Sequence, residues 1–115
     1  MGRPIMFFEI AARNLQKEQQ FYSQLFEWTI APPRNDFAEV TTGPGGINGA
    51  ISQPGDNIAS SLTVYVEVED IPLYLQRAES LGGSTIFPAM ALPDGNQIAM
   101  IADPEGVMIG LYQKG

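Results

Sequence analysis

The sequence predicts an α+β fold of two tandem strand-helix-strand-strand-strand modules, at about residues 4–54 and 61–114, within one domain spanning 1–115. Three observations predict it. Apolar residues alternate with period two in several short runs, as when Leu62, Val64, Val66 and Val68 alternate with Thr63, Tyr65, Glu67 and Glu69; successive strand side chains point to opposite faces. Two stretches with helical spacing each follow a capping residue, Asn14 or Asp70. The stretch PGGINGAISQ from Pro44 to Gln53 is echoed by PEGVMIGLYQ from Pro104 to Gln113. One such half has too little apolar surface to stand alone, so the two are expected to join their sheets and place both helices on one side.

In order, Ile5 to Ala12 reads as a strand buried on both faces, with Glu9 inside it. Asn14 then caps a helix whose stripe is Phe21, Tyr22, Leu25 and Phe26, while Gln16 to Gln20 forms its solvated side. Strands follow at Trp28 to Ala31, stopped by Pro32-Pro33, and at Phe37 to Thr42. The glycines at 43 to 46 make a turn, with no helix and no lysine after them to form a phosphate loop, and Ile47 to Gln53 is the fourth strand. Pro54 to Ser60 reads as a short polar linker.

Module two repeats the order. After the alternating strand, Asp70 caps a helix with Pro72 in its first turn and Ile71, Tyr74, Leu75, Ala78 and Leu81 along one stripe. Gly82-Gly83 ends it, since glycine takes the left-handed conformation cheaply. Ser84 to Ala91, Gln97 to Ala102 and Val107 to Gln113 are the last strands, joined by turns at Pro93-Asp94-Gly95 and Asp103-Pro104-Glu105-Gly106. The aliphatic face (Phe8, Ile10, Val64, Val66, Val107, Ile109, Leu111) is expected to meet the helices. The other face carries Phe7, Glu9, Asn48, Ala50, Ser52, Thr63, Tyr65, Glu67, Met108, Gly110 and Tyr112, a mixture of apolar and polar groups such as lines a pocket.

Composition narrows the chemistry. With 44% hydrophobic and 17% charged residues, the 115-residue chain has an ordinary globular make-up. It has no cysteine and no histidine, which removes disulfides, thiolate sites, thiol nucleophiles and the commonest general base and transition-metal ligand. A net charge of -7 argues against nucleic acid, which needs clustered Lys and Arg. Residues 58–115 hold two basic and seven acidic side chains, a bias that permits cationic ligands, although an acidic balance more often serves solubility. The apolar runs are far too short to span a bilayer and the N-terminus lacks a signal-peptide pattern, so no membrane partner is expected and the cytoplasm is the default compartment.

The doubled module, the FYSQLFEW stretch from Phe21 to Trp28 and the DPEG turn from Asp103 to Gly106 resemble the vicinal oxygen chelate superfamily of glyoxalases, extradiol dioxygenases and bleomycin-resistance proteins. The resemblance covers essentially the whole chain. It implies that the modules form a curved, cup-like mixed sheet with helices outside, and that the chain is a homodimer. It also implies that metal-using members carry His or Glu ligands at the positions matching Phe7, Ala50, Thr63 and Gly110. Those residues offer no carboxylate or imidazole, so no metal and no cofactor is expected.

The chain is therefore expected to hold a small organic molecule, cationic or aromatic, in the cup. Phe7, Tyr65 and Tyr112 would supply aromatic walls, Glu9, Asn48 and Thr63 polar orientation, and Glu67 and Met108 further contacts. The alternative is a metal-independent isomerase or lyase with Glu9 as base and Tyr65 as acid; a metal-dependent lyase or dioxygenase ranks last. Each residue also has a plainer role: Glu9 as a bonded structural carboxylate, the tyrosines and methionines as packing.

Overall fold

A computed structural model describes residues 2–54 and 61–115. The elements are β1 (Ile5–Ala11), α1 (Leu15–Phe26), β2 (Thr29–Ile30), β3 (Phe37–Thr41), β4 (Gly49–Ser52), β5 (Ser61–Glu67), α2 (Ile71–Ser80), β6 (Ser84–Ala91), β7 (Gln97–Ala102) and β8 (Met108–Gln113). This is the expected α+β arrangement, strand-helix-strand-strand-strand twice over. The chain divides into two compact units, residues 7–63 and residues 1–6 with 64–115. Beyond Pro54, the linker expected over 54–60 lies outside the described residues. Among the described residues no helix is long and apolar enough to cross a membrane.

In the unit of residues 7–63, β1 runs parallel to β4, with Glu9 opposite Ala50 and Ala11 opposite Ser52. Strand β3 pairs antiparallel with β4, and β2 with β3. Asn14 starts α1 as expected: its Oδ1 accepts from the Lys17 N–H at 3.0 Å. Leu15 then packs with Ala12, Ala38, Val40 and Ile51, and Phe8, Ile10, Tyr22, Trp28 and Ile30 close around them. Val40 and Ile51 are fully buried, each contributing about 1.5–3 kcal/mol by leaving water. Glu27 adopts φ 58° at the helix C-cap, which turns the chain back. Trp28 thereby stacks on Tyr22 at 5.2 Å and 15° and lies 5.6 Å from Phe8. The FYSQLFEW stretch is thus a helix end folded onto its own aromatic stripe.

In the other unit, β5 runs parallel to β8, and β7 pairs antiparallel with both β8 and β6. Asp70 Oδ1 accepts from the Leu73 N–H at 3.2 Å, with Pro72 in the first turn where its missing N–H costs nothing. Val68, Ile71, Ala99 and Leu111 form the core with Val66, Tyr74, Leu75 and Ile101 around it. The first residues of the chain belong here: the Glu67 N–H donates to the Pro4 carbonyl at 2.9 Å, and Arg3 pairs with Glu69 at 2.9 Å and donates to the Tyr74 hydroxyl at 2.8 Å.

Two strands begin later than expected, each because a side chain captures the backbone first. The Asp103 carboxylate accepts from the N–H groups of Glu105 and Val107, both at 2.9 Å. This holds Val107 in the turn, 56% exposed, so that β8 starts at Met108 and Val107 is no core residue. Asn48 likewise lies ahead of β4, its Oδ1 accepting from the Thr42 N–H at 3.1 Å.

The same junction occurs within each unit. The glutamine that follows β4, Gln53, accepts through Oε1 from the Leu15 N–H at 2.8 Å; the glutamine that ends β8, Gln113, accepts from the Ile71 N–H at 2.7 Å. Beside each, the backbone closes in the same way, Ala12 N–H to Ser52 O at 2.8 Å and Val68 N–H to Tyr112 O at 2.9 Å. Each helix start is therefore clipped to the last strand of its own module. Because Leu15 and Ile71 are buried, loss of the acceptor leaves an N–H without compensation. Gln53→Ala and Gln113→Ala should each lose about 1–3 kcal/mol in urea unfolding, against less than about 0.5 kcal/mol for the exposed Gln16→Ala. Equal effects at all three positions would refute the clip.

Candidate functional site

The strand faces turned away from the helices are fixed by register, since paired residues share a face. In the unit of residues 7–63, Glu9, Ala50 and Glu39 form one row across β1, β4 and β3, and Ala11, Ser52 and Phe37 the next. Ser52, buried to 8% exposure, donates its hydroxyl to Glu9 Oε2 at 2.8 Å. Glu9 is half-buried and accepts here, so this side chain holds one carboxylate oxygen in place. Glu39 is exposed on the far side of Ala50. The sequence pattern marked Glu9 and Ser52 but not Glu39; strict alternation in the FAEVT strand was the signal that could have found it.

The equivalent face of the other unit is aromatic and thioether. Tyr65, Gly110 and Met100 form one row across β5, β8 and β7; Glu67, Tyr112 and Ile98 form the next. Tyr65 is 5% exposed and its ring lies against Gly110, so closely that a Cβ at 110 would run into it. Glu67 is held by Lys114 at 3.5 Å. The Tyr112 hydroxyl accepts from Asn96 Nδ2 at 2.5 Å. Burial raises the ionisation of Tyr112 above the usual phenol range, with the Asp94 charge adding to the rise.

Of the residues singled out from sequence, Tyr65, Glu67, Met108 and Tyr112 thus share one face of one unit. Met108 lies at its edge, 50% exposed. Phe7, Glu9 and Thr63 are half-buried residues of the 7–63 unit, in β1 and β5. Asn48 is exposed, with its side chain spent on the Thr42 amide.

Two other places can be weighed. A groove of about 670 Å³ lies around the first turn of α1, lined by Arg13, Gln16, Gln19, Pro32, Pro33 and Gln53. The helix N–H groups there already donate to Asn14 and Gln53, so the groove offers a ligand little beyond surface side chains. The donor set does not fit a divalent metal. Phe7, Ala50, Thr63 and Gly110 supply no carboxylate or imidazole, the Tyr65 ring fills the space beside position 110, and among the described residues no three His, Cys, Asp or Glu side chains come together.

Two measurements probe this face. Gly110→Ala should cost about 1–3 kcal/mol through overpacking against Tyr65, and a cycle with Tyr65→Ala should recover much of it; additive losses would contradict the contact. Tyr112 holds its proton to higher pH when folded than the ordinary value of about 10 in the unfolded chain. Its contribution is therefore complete below that value and is lost as pH rises through the folded one. Urea unfolding should show an alkaline fall in stability that Tyr112→Phe flattens.

Comparison with known proteins agrees with the fold. A family model described as a glyoxalase-like domain matches residues 7–111. The anthracycline biosynthesis protein DnrV of Streptomyces peucetius is 23% identical over 127 aligned residues, covering 95% of this chain and 46% of that protein; its counterpart DauV from Streptomyces sp. strain C5 matches equally. The chain thus spans about half the length of the curated relatives it matches. Among solved structures, the methylmalonyl-CoA epimerase of Mycobacterium tuberculosis superposes with a TM-score of 0.72 at 17% identity, covering 96% of this chain and 87% of that one. A glyoxalase/bleomycin resistance protein/dioxygenase superfamily member from Vibrio splendidus gives 0.70 at 14% identity, covering 99% and 100%. At these identities the superpositions speak to the fold, and the family match extends over nearly all of the sequence: the chain belongs to the glyoxalase-like domain family.

Proposed function

We propose that this chain binds a planar aromatic organic molecule, without a metal ion, on the strand face of residues 64–115 that is turned away from α2. The observation that carries the reading is the face on which the half-buried Tyr112 and the exposed Met108 overlie the buried Tyr65, Met100 and Gly110. It combines two aromatic rings and two adaptable thioethers with few polar groups, the make-up of a small-molecule site. Glu67, opposite Tyr112 in register, lies on the same face for any positive group the molecule carries. The kinship with anthracycline biosynthesis proteins supports a polycyclic aromatic compound as the class. The absence of carboxylate and imidazole at the four positions where metal-using relatives would place ligands supports binding without a divalent ion.

A second reading, a metal-independent isomerase or lyase, is favoured by one contact. Ser52 donates to Glu9 and so fixes the position of one carboxyl oxygen on the strand face, and position is the first requirement of a general base. On that reading Glu9→Gln abolishes turnover while leaving binding intact. The protein is further proposed to work as a homodimer in the cytoplasm. Phe21, Leu25 and Phe26 expose about half of their surface on α1 and would be covered by a second copy.

The test is thermal unfolding with a soluble anthraquinone, with and without EDTA. A molecule that binds only the folded chain stabilises it by about 2.7 kcal/mol at a hundred times its Kd. We expect a rise in the midpoint that EDTA leaves untouched. No rise, or a rise that EDTA removes, would contradict the proposal.

A further inference from the structure

Asn96 follows the turn between β6 and β7, and its amide has only one orientation. Its Oδ1 accepts from the Gly115 N–H at 2.9 Å, and its Nδ2 donates to Asp94 Oδ2 at 3.0 Å. A backbone N–H can only donate and a carboxylate can only accept, so these two partners forbid the flipped amide. The Asn96 N–H is itself held by Asp94 Oδ1 at 3.0 Å. What remains is the second Nδ2 hydrogen, and it goes to the Tyr112 hydroxyl at 2.5 Å.

Tyr112 is thereby the acceptor in its one bond to Asn96, and its own proton is left for another partner. No hydrogen bond donated by that hydroxyl is found among the described residues. Glu67, opposite Tyr112 in register, is engaged by Lys114. The ring sits on the same face as Tyr65, Met100 and Gly110, where burial keeps the phenol protonated. A neutral hydroxyl pinned through its oxygen is a preorganised donor.

We propose that Tyr112 is the fixed hydrogen-bond donor of the open-face site, that Asn96 is its positioning residue, and that the molecule bound there presents an acceptor oxygen of the quinone or ketone kind. This rests on the aromatic-ligand reading above and specifies its ligand class. A flat hydrocarbon body lies against Met108 and the Tyr112 ring, above the buried Tyr65 and Met100, and a carbonyl at its edge takes the Tyr112 proton.

Two probes isolate the carbonyl: anthraquinone-2-sulfonate and anthracene-2-sulfonate share three fused rings and one anionic group and differ in the quinone oxygens. Calorimetric titration of the intact chain should show the quinone bound roughly tenfold more tightly, the size of one net hydrogen bond. Tyr112→Phe should remove that preference by weakening the quinone alone, and Asn96→Ala should reduce it. Equal weakening of both probes, or of neither, overturns the donor role. Failure of both probes to bind wild-type protein overturns the aromatic-ligand reading itself, and the direction of the Tyr112–Asn96 bond is then decided without a ligand. Tyrosine-ring carbon NMR, with Tyr112→Phe identifying the signal, follows Tyr112 ionisation in a field set by Asp94, Glu67 and Lys114. Loss of a donor to the phenolate in Asn96→Ala should move the titration to higher pH. A move to lower pH would mean that the phenol had been donating to Asn96, and the proposal would fall.

Discussion

The structure depends on a glutamine that reaches back from the last strand of each module to the first turn of the helix. Gln53 and Gln113 accept from the buried N–H groups of Leu15 and Ile71, where a helix has no carbonyl of its own to offer. Neighbouring backbone bonds from Ala12 and Val68 close the same junction. Because strand side chains alternate, the residue just before each glutamine points to the opposite side. Those residues are Ser52 and Tyr112, the two that carry the polar chemistry of the open faces. One clip therefore sets both the helix and the site residue beside it.

On this shared frame the two modules have diverged. Glu9 beside Ala50 and Tyr65 beside Gly110 occupy equivalent places, as do Ser52 and Tyr112. One face became carboxylate and hydroxyl, the other aromatic and thioether. Where two equivalent modules could have supplied a matched set of metal ligands, they supply alanine, glycine, phenylalanine and threonine instead. On the proposed function, the aromatic surface takes the flat faces and edge oxygens of an organic molecule.

Much of this was legible in the sequence because its signals are local. The caps Asn14 and Asp70 act within their own first turns, and period-two alternation assigned Phe8, Ile10, Val66 and Leu111 to the helix side and Tyr65 and Tyr112 to the other. The repeat aligned Gln53 with Gln113, but a match between two glutamines does not reveal that each reaches about 40 positions back. Val107 and Asn48 were assigned to strands by alternation, which cannot register a carboxylate capturing the Val107 N–H or an amide turned onto Thr42. Asn96 carried no signal at all. Its role arises from three partners, Asp94, Tyr112 and Gly115, brought together only when β6, β7 and β8 are laid side by side.

The proposed site for an aromatic molecule is the strand face of residues 64–115, not the helices and not the groove at the start of α1. Its most direct test is NMR with methyl-labelled methionine and uniform ¹⁵N, recorded as anthraquinone-2-sulfonate is added. The account predicts that shifts concentrate at Met100, Met108, Gly110 and the strand residues beside Tyr65 and Tyr112, while Gln16, Gln19 and the exposed side of α1 stay still. Shifts centred on Arg13 and Gln53 around the groove, with the methionine methyls unmoved, would contradict it.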